Sequence, residues 1–376
     1  MNSKKTIIII GQLPPTITGQ SLVTSEVYNI LQKSGGVIRS HNLFYSEFRH
    51  FKKYIILFKT VFNLTSDIIK YNSVIYLSAA RTKPGFYRNA YIILLSNLFK
   101  RKIIIHFHCG EYNNFLINNG SLFLKFAKYL FKMVDVSIIL GNSLIKNYDI
   151  IFNNKMKIIV IPNGISIKQS KIAITDHSFF NILYMSNLIE SKGYFDLLEA
   201  VNILVNEYKI YNIRVDLCGK FMDHEDNISF KTINEYILNF KNYISRNNLS
   251  SFIKYQDVVN GEIKDLLYEN CDIFILPTYY SKEAQPLSIL EALSYGKIVI
   301  TTNHRGIPDM VINDYNGLIV ESKSPRSIVN AILKIINNQS LQNKLSINAI
   351  DHVVNNFSLD NFEKNIINLF KKYNAI

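Results

Sequence analysis

Pro277-Thr-Tyr-Tyr-Ser-Lys-Glu283-Ala-Gln-Pro-Leu-Ser-Ile-Leu-Glu291-Ala-Leu follows an apolar run, residues 273–276. The run reads as a buried strand that ends at Pro277, and a short polar loop carrying Glu283 comes next. Pro286 then suits the first turn of a helix that continues through Glu291. One carboxylate therefore sits at the mouth of a strand-to-helix turn. The other lies two turns along the helix, about 12 Å further at ~1.5 Å per residue. Between them, the free N–H groups of the helix start, near Leu287 and Ser288, attract an anion. Two hydroxyl-seeking carboxylates flanking an anion site match a sugar, a diphosphate and a ribose in a row.

The surrounding text repeats one theme. Strand-like and helix-like segments alternate along the chain, which argues α/β with parallel sheets. In the first half, strands are expected at residues 6–10, 74–77, 102–107, 136–140 and 158–161, with helices at 21–32, 87–99 and 122–133. In the second half, strands are expected at 181–185, 214–218, 253–255, 273–276, 298–301 and 317–320. Helices fall at 194–207, 234–247, 262–269, 286–295 and 325–337. Pro162-Asn163-Gly164 turns the chain and cannot continue a strand.

The E-x7-E spacing of Glu283 and Glu291 resembles that of retaining glycosyltransferases of family 4. So do Leu-Pro-Thr at 276–278, Glu-Ala-Leu at 291–293 and Tyr-Gly-Lys-Ile-Val-Ile at 295–300. Gly306-Ile-Pro-Asp309 and Asn316-Gly-Leu-Ile-Val320 follow at the family's usual spacing. The resemblance is dense from about residue 181 to 320 and thinner before that. It implies a GT-B architecture, two Rossmann-like domains with parallel sheets facing across a cleft. On that reading, residues 1–163 form an acceptor-binding domain and 164–357 a nucleotide-sugar-binding domain. Residues 358–376 supply a helix that crosses back to the first domain.

The resemblance also assigns roles. Glu283 binds donor-sugar hydroxyls and Glu291 the ribose. Lys192, the Gly19 loop and the N–H groups near Leu287 and Ser288 stabilise the leaving diphosphate. His108, after the strand at 102–107, matches the family histidine beside the donor sugar, where a neutral imidazole can hydrogen-bond a hydroxyl. Where the family has Gly-Arg, this chain has Ser186-Asn187, so one guanidinium is missing and more of the charge falls on Lys192. A cation at a helix start opposes the helix dipole, which favours an anion partner there.

Other chemistries find less support. The loop from Gly11 to Ser21 has no G-x-G-x-x-G, which disfavours a nicotinamide site. His106-Phe-His108-Cys109 raises a metal, yet Cys109 points away from the histidines and no further ligand cluster is evident, so no metal or other cofactor is expected. No Asp-x-Asp occurs, so the divalent-metal chemistry of GT-A enzymes is not expected. Cys109, Cys218 and Cys271 are widely spaced and odd in number, which suits a reducing cytosol.

Length and charge complete the reading. A chain of 376 residues with 48% hydrophobic content holds two ordinary domains. No apolar run is long enough for a bilayer span, and the run at residues 7–10 is too short for a signal peptide. Residues 1–165 carry 21 Lys/Arg against 6 Asp/Glu, a balance of +15; the rest carry 21 against 23, a balance of −2. That asymmetry points to a polyanionic partner for the first half. Basic and aromatic residues interleave from Phe48 to Phe62, with Phe51, Ile55, Phe58 and Phe62 at helical spacing and Lys52, Lys53 and Lys59 elsewhere on the turn. This fits an interfacial helix on anionic lipid.

The expected partners are thus a nucleoside diphosphate sugar, UDP-linked, a lipid-linked or other glycan acceptor, and an anionic membrane surface. The expected location is the cytoplasmic face of the cell membrane, as a peripheral protein of bacterial surface polysaccharide assembly. Two rivals stand beside it. One is a GT-B UDP-sugar 2-epimerase; the other is a basic nucleic-acid-binding module, although no nucleic-acid motif is present.

Overall fold

The computed structural model describes residues 5–14, 18–42, 50–168 and 178–376, with the side chains of residues 50–55 and 57 outside the description. The chain divides into two compact units, Met1–Gly164 with Leu359–Ile376, and Ile165–Ser358.

In the first unit the elements run β1 (Thr6–Gly11), α1 (Gly19–Lys33), β2 (Ile38–Asn42), α2 (His50–Lys70), β3 (Ser73–Ser78), α3 (Lys83–Leu98), β4 (Lys102–His106), α4 (Tyr112–Asn118), α5 (Ser121–Phe131), β5 (Val136–Ile139) and β6 (Lys157–Val160). The strands form one parallel six-stranded sheet in the order β2-β1-β3-β4-β5-β6. Runs such as Ile7-Ile-Ile-Ile10 are buried along their whole length, because helices cover both faces of such a sheet.

The second unit runs β7 (Phe180–Met185), α6 (Tyr194–Asn202), β8 (Ile213–Cys218), α7 (Ile233–Arg246), β9 (Ile253–Tyr255), α8 (Gly261–Asn270), β10 (Ile273–Leu276), α9 (Leu287–Ser294), β11 (Ile298–Thr302), β12 (Gly317–Val320), α10 (Pro325–Ile336) and α11 (Gln339–Phe357). Its sheet is also parallel and six-stranded, in the order β12-β11-β10-β7-β8-β9. The last helix, α12 (Leu359–Lys371), belongs to the first unit, where Phe362, Ile366, Leu369 and Phe370 join the core with Val27, Ile30 and Leu31 of α1.

Sequence signals explain most boundaries. Thr18 caps α1 by accepting from the Ser21 N–H, and Ser21 returns the bond. Thr82 and Thr232 cap α3 and α7. Such caps contribute about 1 kcal/mol each. Pro286 stands as the N-cap residue of α9, one place before the first turn. The helix expected over 194–207 is α-helical to Asn202 and continues as a π turn, Ile203–Glu207.

Three elements lack a sequence signal of their own. β2, Ile-Arg-Ser-His-Asn, is an edge strand with little apolar content. α4 is short, and α11 is mostly polar with four buried residues, Leu345, Ala349, Val353 and Phe357. The basic-aromatic segment expected as a helix lies in α2, but Phe48 and Arg49 and the side chains of Phe51, Lys52, Lys53 and Ile55 lie outside the described residues.

Candidate active site

In the second unit the strand order reverses between β7 and β10: β8 and β9 lie to one side, β11 and β12 to the other. The loops leaving neighbouring strand ends at such a switch point diverge and open a crevice for a ligand. Residues 186–193 leave β7 and residues 277–286 leave β10.

Two glycines let these loops approach closely. Gly193 has φ +77°, and a Cβ there would stand 2.3 Å from the Pro277 carbonyl oxygen. Gly219, with φ +142° at the end of β8, would bring a Cβ to 1.8 Å from the Ser186 oxygen. Only glycine satisfies both the backbone and the space. The two loops are then tied together, since the Tyr279 N–H donates to the Ser191 oxygen at 2.7 Å.

This closeness brings two of the sequence-derived residues into direct contact. Lys192 Nζ lies 2.5 Å from Glu283 Oε2, and their side chains are 12% and 8% exposed. Thr278 Oγ1 donates to the same carboxylate oxygen at 3.2 Å. The ammonium also sits 4.5 Å from the centre of the Tyr280 ring. An ion pair this dry is held by complementary charge and by these added contacts, which offset its desolvation.

Glu291 occupies a different place. It projects from α9 toward α8, where Lys264 Nζ meets Oε1 at 2.7 Å and the Tyr268 hydroxyl donates to Oε2 at 2.9 Å. Its carboxylate is thereby fixed in orientation while remaining partly accessible. Leu287 and Ser288 form the first turn of α9 and are half-buried.

The other two sequence-derived residues belong to the first unit. Gly19 is the exposed first residue of α1, directly after the Thr18 cap. His108 follows the end of β4, and its ring lies 4.0 Å from that of His106. Burial lowers the His108 pKa to about 3, so the imidazole is neutral. Its Nε2 is buried with no hydrogen-bond partner among the described residues. His106 is a core residue whose Nδ1 meets the Tyr76 hydroxyl at 2.6 Å. Among the described residues, no group of three or more His, Cys, Asp or Glu side chains could hold a metal ion.

Sequence reading missed several neighbours of the Lys192–Glu283 pair. His304 donates from Nε2 to the Tyr280 carbonyl at 2.8 Å, and burial lowers its pKa. His224 Nε2 stands 3.3 Å from the Tyr280 hydroxyl. Lys282 pairs with Glu225, Ser191 donates to Asp226 at 2.7 Å, and the Ile228 and Ser229 N–H groups donate to Glu190. The segment after β8 is thus fastened beside the pair at several points. Its only sequence signal is the polar run Asp223-His-Glu-Asp226, which has no periodicity.

The fold is similar to that of the Anabaena protein HepE, solved in complex with UDP. The TM-score is 0.74 at 16% identity, covering 98% of this chain and 100% of that one. That likeness shows the fold, GT-B, built of two Rossmann-like α/β units each with a parallel sheet. In sequence, the chain is 30% identical over 169 residues to a capsular polysaccharide biosynthesis glycosyltransferase, CapM, of Staphylococcus aureus, covering 45% of this chain and 40% of CapM. It is 34% identical over 88 residues to the Campylobacter jejuni N,N'-diacetylbacillosaminyl-diphospho-undecaprenol alpha-1,3-N-acetylgalactosaminyltransferase, covering 23% of each chain. The chain thus spans less than two thirds of the length of either relative. Residues 167–352, which hold Lys192, Glu283 and Glu291, match the family of glycosyl transferases group 1, and the second unit of this chain therefore carries a glycosyl transferases group 1 domain.

Proposed function

We propose that the protein is a retaining glycosyltransferase of the family 4 type, which moves a hexosyl group from a nucleoside diphosphate sugar to an acceptor hydroxyl. The donor is UDP-linked. The acceptor is a lipid-linked glycan of bacterial surface polysaccharide assembly, met at the cytoplasmic face of the membrane by a peripherally bound enzyme. The observation that carries the reading is the Lys192–Glu283 pair at a topological switch point, with Glu291 held eight residues further along the same motif. The relatives' names support the acceptor class, since one concerns capsular polysaccharide and another a diphospho-undecaprenol sugar. Among the described residues no helix is long and apolar enough to cross a membrane.

In this reading each group has one task. Glu283 accepts hydrogen bonds from donor-sugar hydroxyls. Lys192 and the first N–H groups of α9, at Leu287 and Ser288, balance the diphosphate as it leaves. Glu291 accepts from the ribose hydroxyls. The Gly19 backbone approaches the phosphates, and His108 offers a neutral imidazole to the sugar. Same-face substitution with retention needs no covalent nucleophile, so a two-carboxylate hydrolase geometry is not imposed.

Thermal stabilisation by a panel of nucleotide sugars tests the reading. A ligand at 100 times its dissociation constant adds about 2.7 kcal/mol. A raised melting temperature with one or more UDP-sugars, reduced in Glu291→Ala, is expected. No shift with any nucleotide sugar overturns the proposal. Sugar release without acceptor, with inversion at C2, would instead favour the 2-epimerase.

A further inference from the structure

Helix α3 contradicts the usual division of a surface helix into an apolar and a charged side. No charged residue occurs between Arg88 and Lys100. Phe86, Ala90, Ile92 and Ile93 point into the core. The opposite side is apolar as well, because Tyr87, Tyr91, Leu94 and Leu98 are exposed at spacings of four, three and four residues. Leu98 is 71% exposed. A helix apolar all round belongs in a core or against a partner.

The stripe does not stand alone. The Tyr91 hydroxyl lies 2.7 Å from Thr65 Oγ1 of α2, which exposes Phe58, Phe62 and Ile69 at the same helical spacing. On the other side the Tyr87 ring meets Phe123 of α5 edge-on at 5.9 Å, and α5 exposes Leu122 and Tyr129. Leu122 is 80% exposed and Phe58 74%. Three adjacent helices of the first unit thus present apolar and aromatic side chains together. A contiguous patch of this kind marks an interaction surface.

Charge identifies the partner. Residues 50–134 hold thirteen lysines and arginines but only two acids, Asp67 and Glu111. Asp67 is buried and paired with Arg39 and His41. Exposed lysines border the apolar stripe on all three helices: Lys59 and Lys70 on α2, Lys83 on α3, and Lys125 and Lys128 on α5. Two copies meeting through this face would bring those lysines together. A nucleic acid would leave the leucines without a partner. We propose that the α2–α3–α5 face beds into the headgroup layer of an anionic lipid bilayer. On this account α3 lies in the plane of the membrane, Tyr87, Tyr91, Leu94 and Leu98 enter it, and the bordering lysines meet lipid phosphates. This deepens the proposed function and rests on its membrane-held acceptor. It goes beyond the basic segment at residues 48–62 by placing apolar insertion on α3 and α5.

Vesicle flotation of the full chain decides it, with neutral phosphatidylcholine vesicles against vesicles that also contain phosphatidylglycerol. The wild type is expected to float with the anionic vesicles. Leu94→Ser combined with Leu98→Ser is expected to weaken that binding about tenfold, since apolar burial and lipid attraction act together. Lys125→Glu combined with Lys128→Glu tests the charge without touching the leucines and is expected to lower binding at least as much at low salt. Both variants alter exposed side chains, so melting temperatures equal to the wild type confirm folding. Stabilisation by nucleotide sugars should be unchanged in both. A wild type that binds vesicles but no nucleotide sugar sinks the donor reading and leaves this one standing. Absent flotation, or equal flotation of the wild type and both variants, overturns it. So does a dimer that Leu94→Ser with Leu98→Ser converts to a monomer.

Discussion

Lys192 and Glu283 stand 91 residues apart in the chain, yet Nζ and Oε2 are 2.5 Å apart, in the angle between two strand ends where the sheet order reverses. Each neutralises the other. A diphosphate that draws on the ammonium must therefore share it with the carboxylate, and a sugar whose hydroxyls donate to Glu283 eases that exchange. Free nucleoside diphosphate should accordingly gain less from Lys192 than the intact nucleotide sugar does.

Removing one partner should be worse than removing both. Lys192→Met leaves the Glu283 carboxylate buried without its cation, a loss on the order of 3–5 kcal/mol for a buried pair. The double variant Lys192→Met with Glu283→Gln removes the uncompensated charge and should recover most of that stability. Urea unfolding of the three proteins measures the difference. If Lys192→Met unfolds at the wild-type midpoint, the pair does not form in solution.

Tyr280 seats the ammonium through its ring face, at 4.5 Å from the centroid. Cation–π contacts of this kind are worth about 0.5–2 kcal/mol. Tyr280→Phe keeps the ring and loses only the hydroxyl that meets His224. Its donor affinity should stay within about twofold of wild type, whereas Tyr280→Leu should lose about fivefold or more. Titration with a UDP-sugar separates the cases, and equal losses in both variants would assign the effect to the hydroxyl instead.

The contrast between Glu283 and Tyr280 shows what a sequence makes legible. Strands such as Ile273–Leu276 and Gly317–Val320 are plain from their apolar runs, and the spacing of Glu283 to Glu291 marks the proposed site. Turn chemistry places Lys192 before Gly193. Its contact with Glu283 depends on tertiary packing, namely on how closely the glycine lets one loop approach Pro277. Tyr280, His224 and His304 meet only through that packing, so no periodicity announces them. β2 was invisible for a related reason. An edge strand with one neighbour needs less apolar content, and Ile-Arg-Ser-His-Asn carries little.

Glu291 and Glu283 should fail differently in kinetics. Lys264 and Tyr268 orient the Glu291 carboxylate, and the ribose contact proposed for it would be nearly uniform between ground and transition states. Glu291→Ala should raise KM for the donor by about tenfold or more, in line with ~1.5–3 kcal/mol for a charge-assisted hydrogen bond, with kcat little changed. Glu283→Gln should chiefly lower kcat, because its proposed role puts it beside the reacting sugar. The reverse pattern would exchange the two assignments.

Transfer should survive EDTA. The sequence has no Asp-x-Asp, and the groups proposed for the diphosphate are Lys192 and the start of α9. Loss of turnover on chelation, restored by Mg²⁺ or Mn²⁺, would require a metal in place of those groups.

Asp196 gives a pH dependence whose sign can be worked out. It lies in the first turn of α6, and burial raises its pKa from 3.8 to about 6, although Lys323 pulls the other way. Its Oδ2 has no hydrogen-bond partner among the described residues. Below about pH 3 the carboxyl is protonated in both states, and near pH 4 it still costs little. Between about pH 4 and 6 the unfolded chain ionises first, so stability falls as pH rises, and above 6 the penalty is constant. A shift of this size corresponds to about 3 kcal/mol, which partial exposure reduces to about 1–2 kcal/mol. Asp196→Asn should therefore stabilise the protein at pH 8 by about that amount and have little effect at pH 4. Urea midpoints for both proteins at the two pH values give the comparison. A variant no more stable than wild type at pH 8 would mean that the carboxylate finds compensation when ionised.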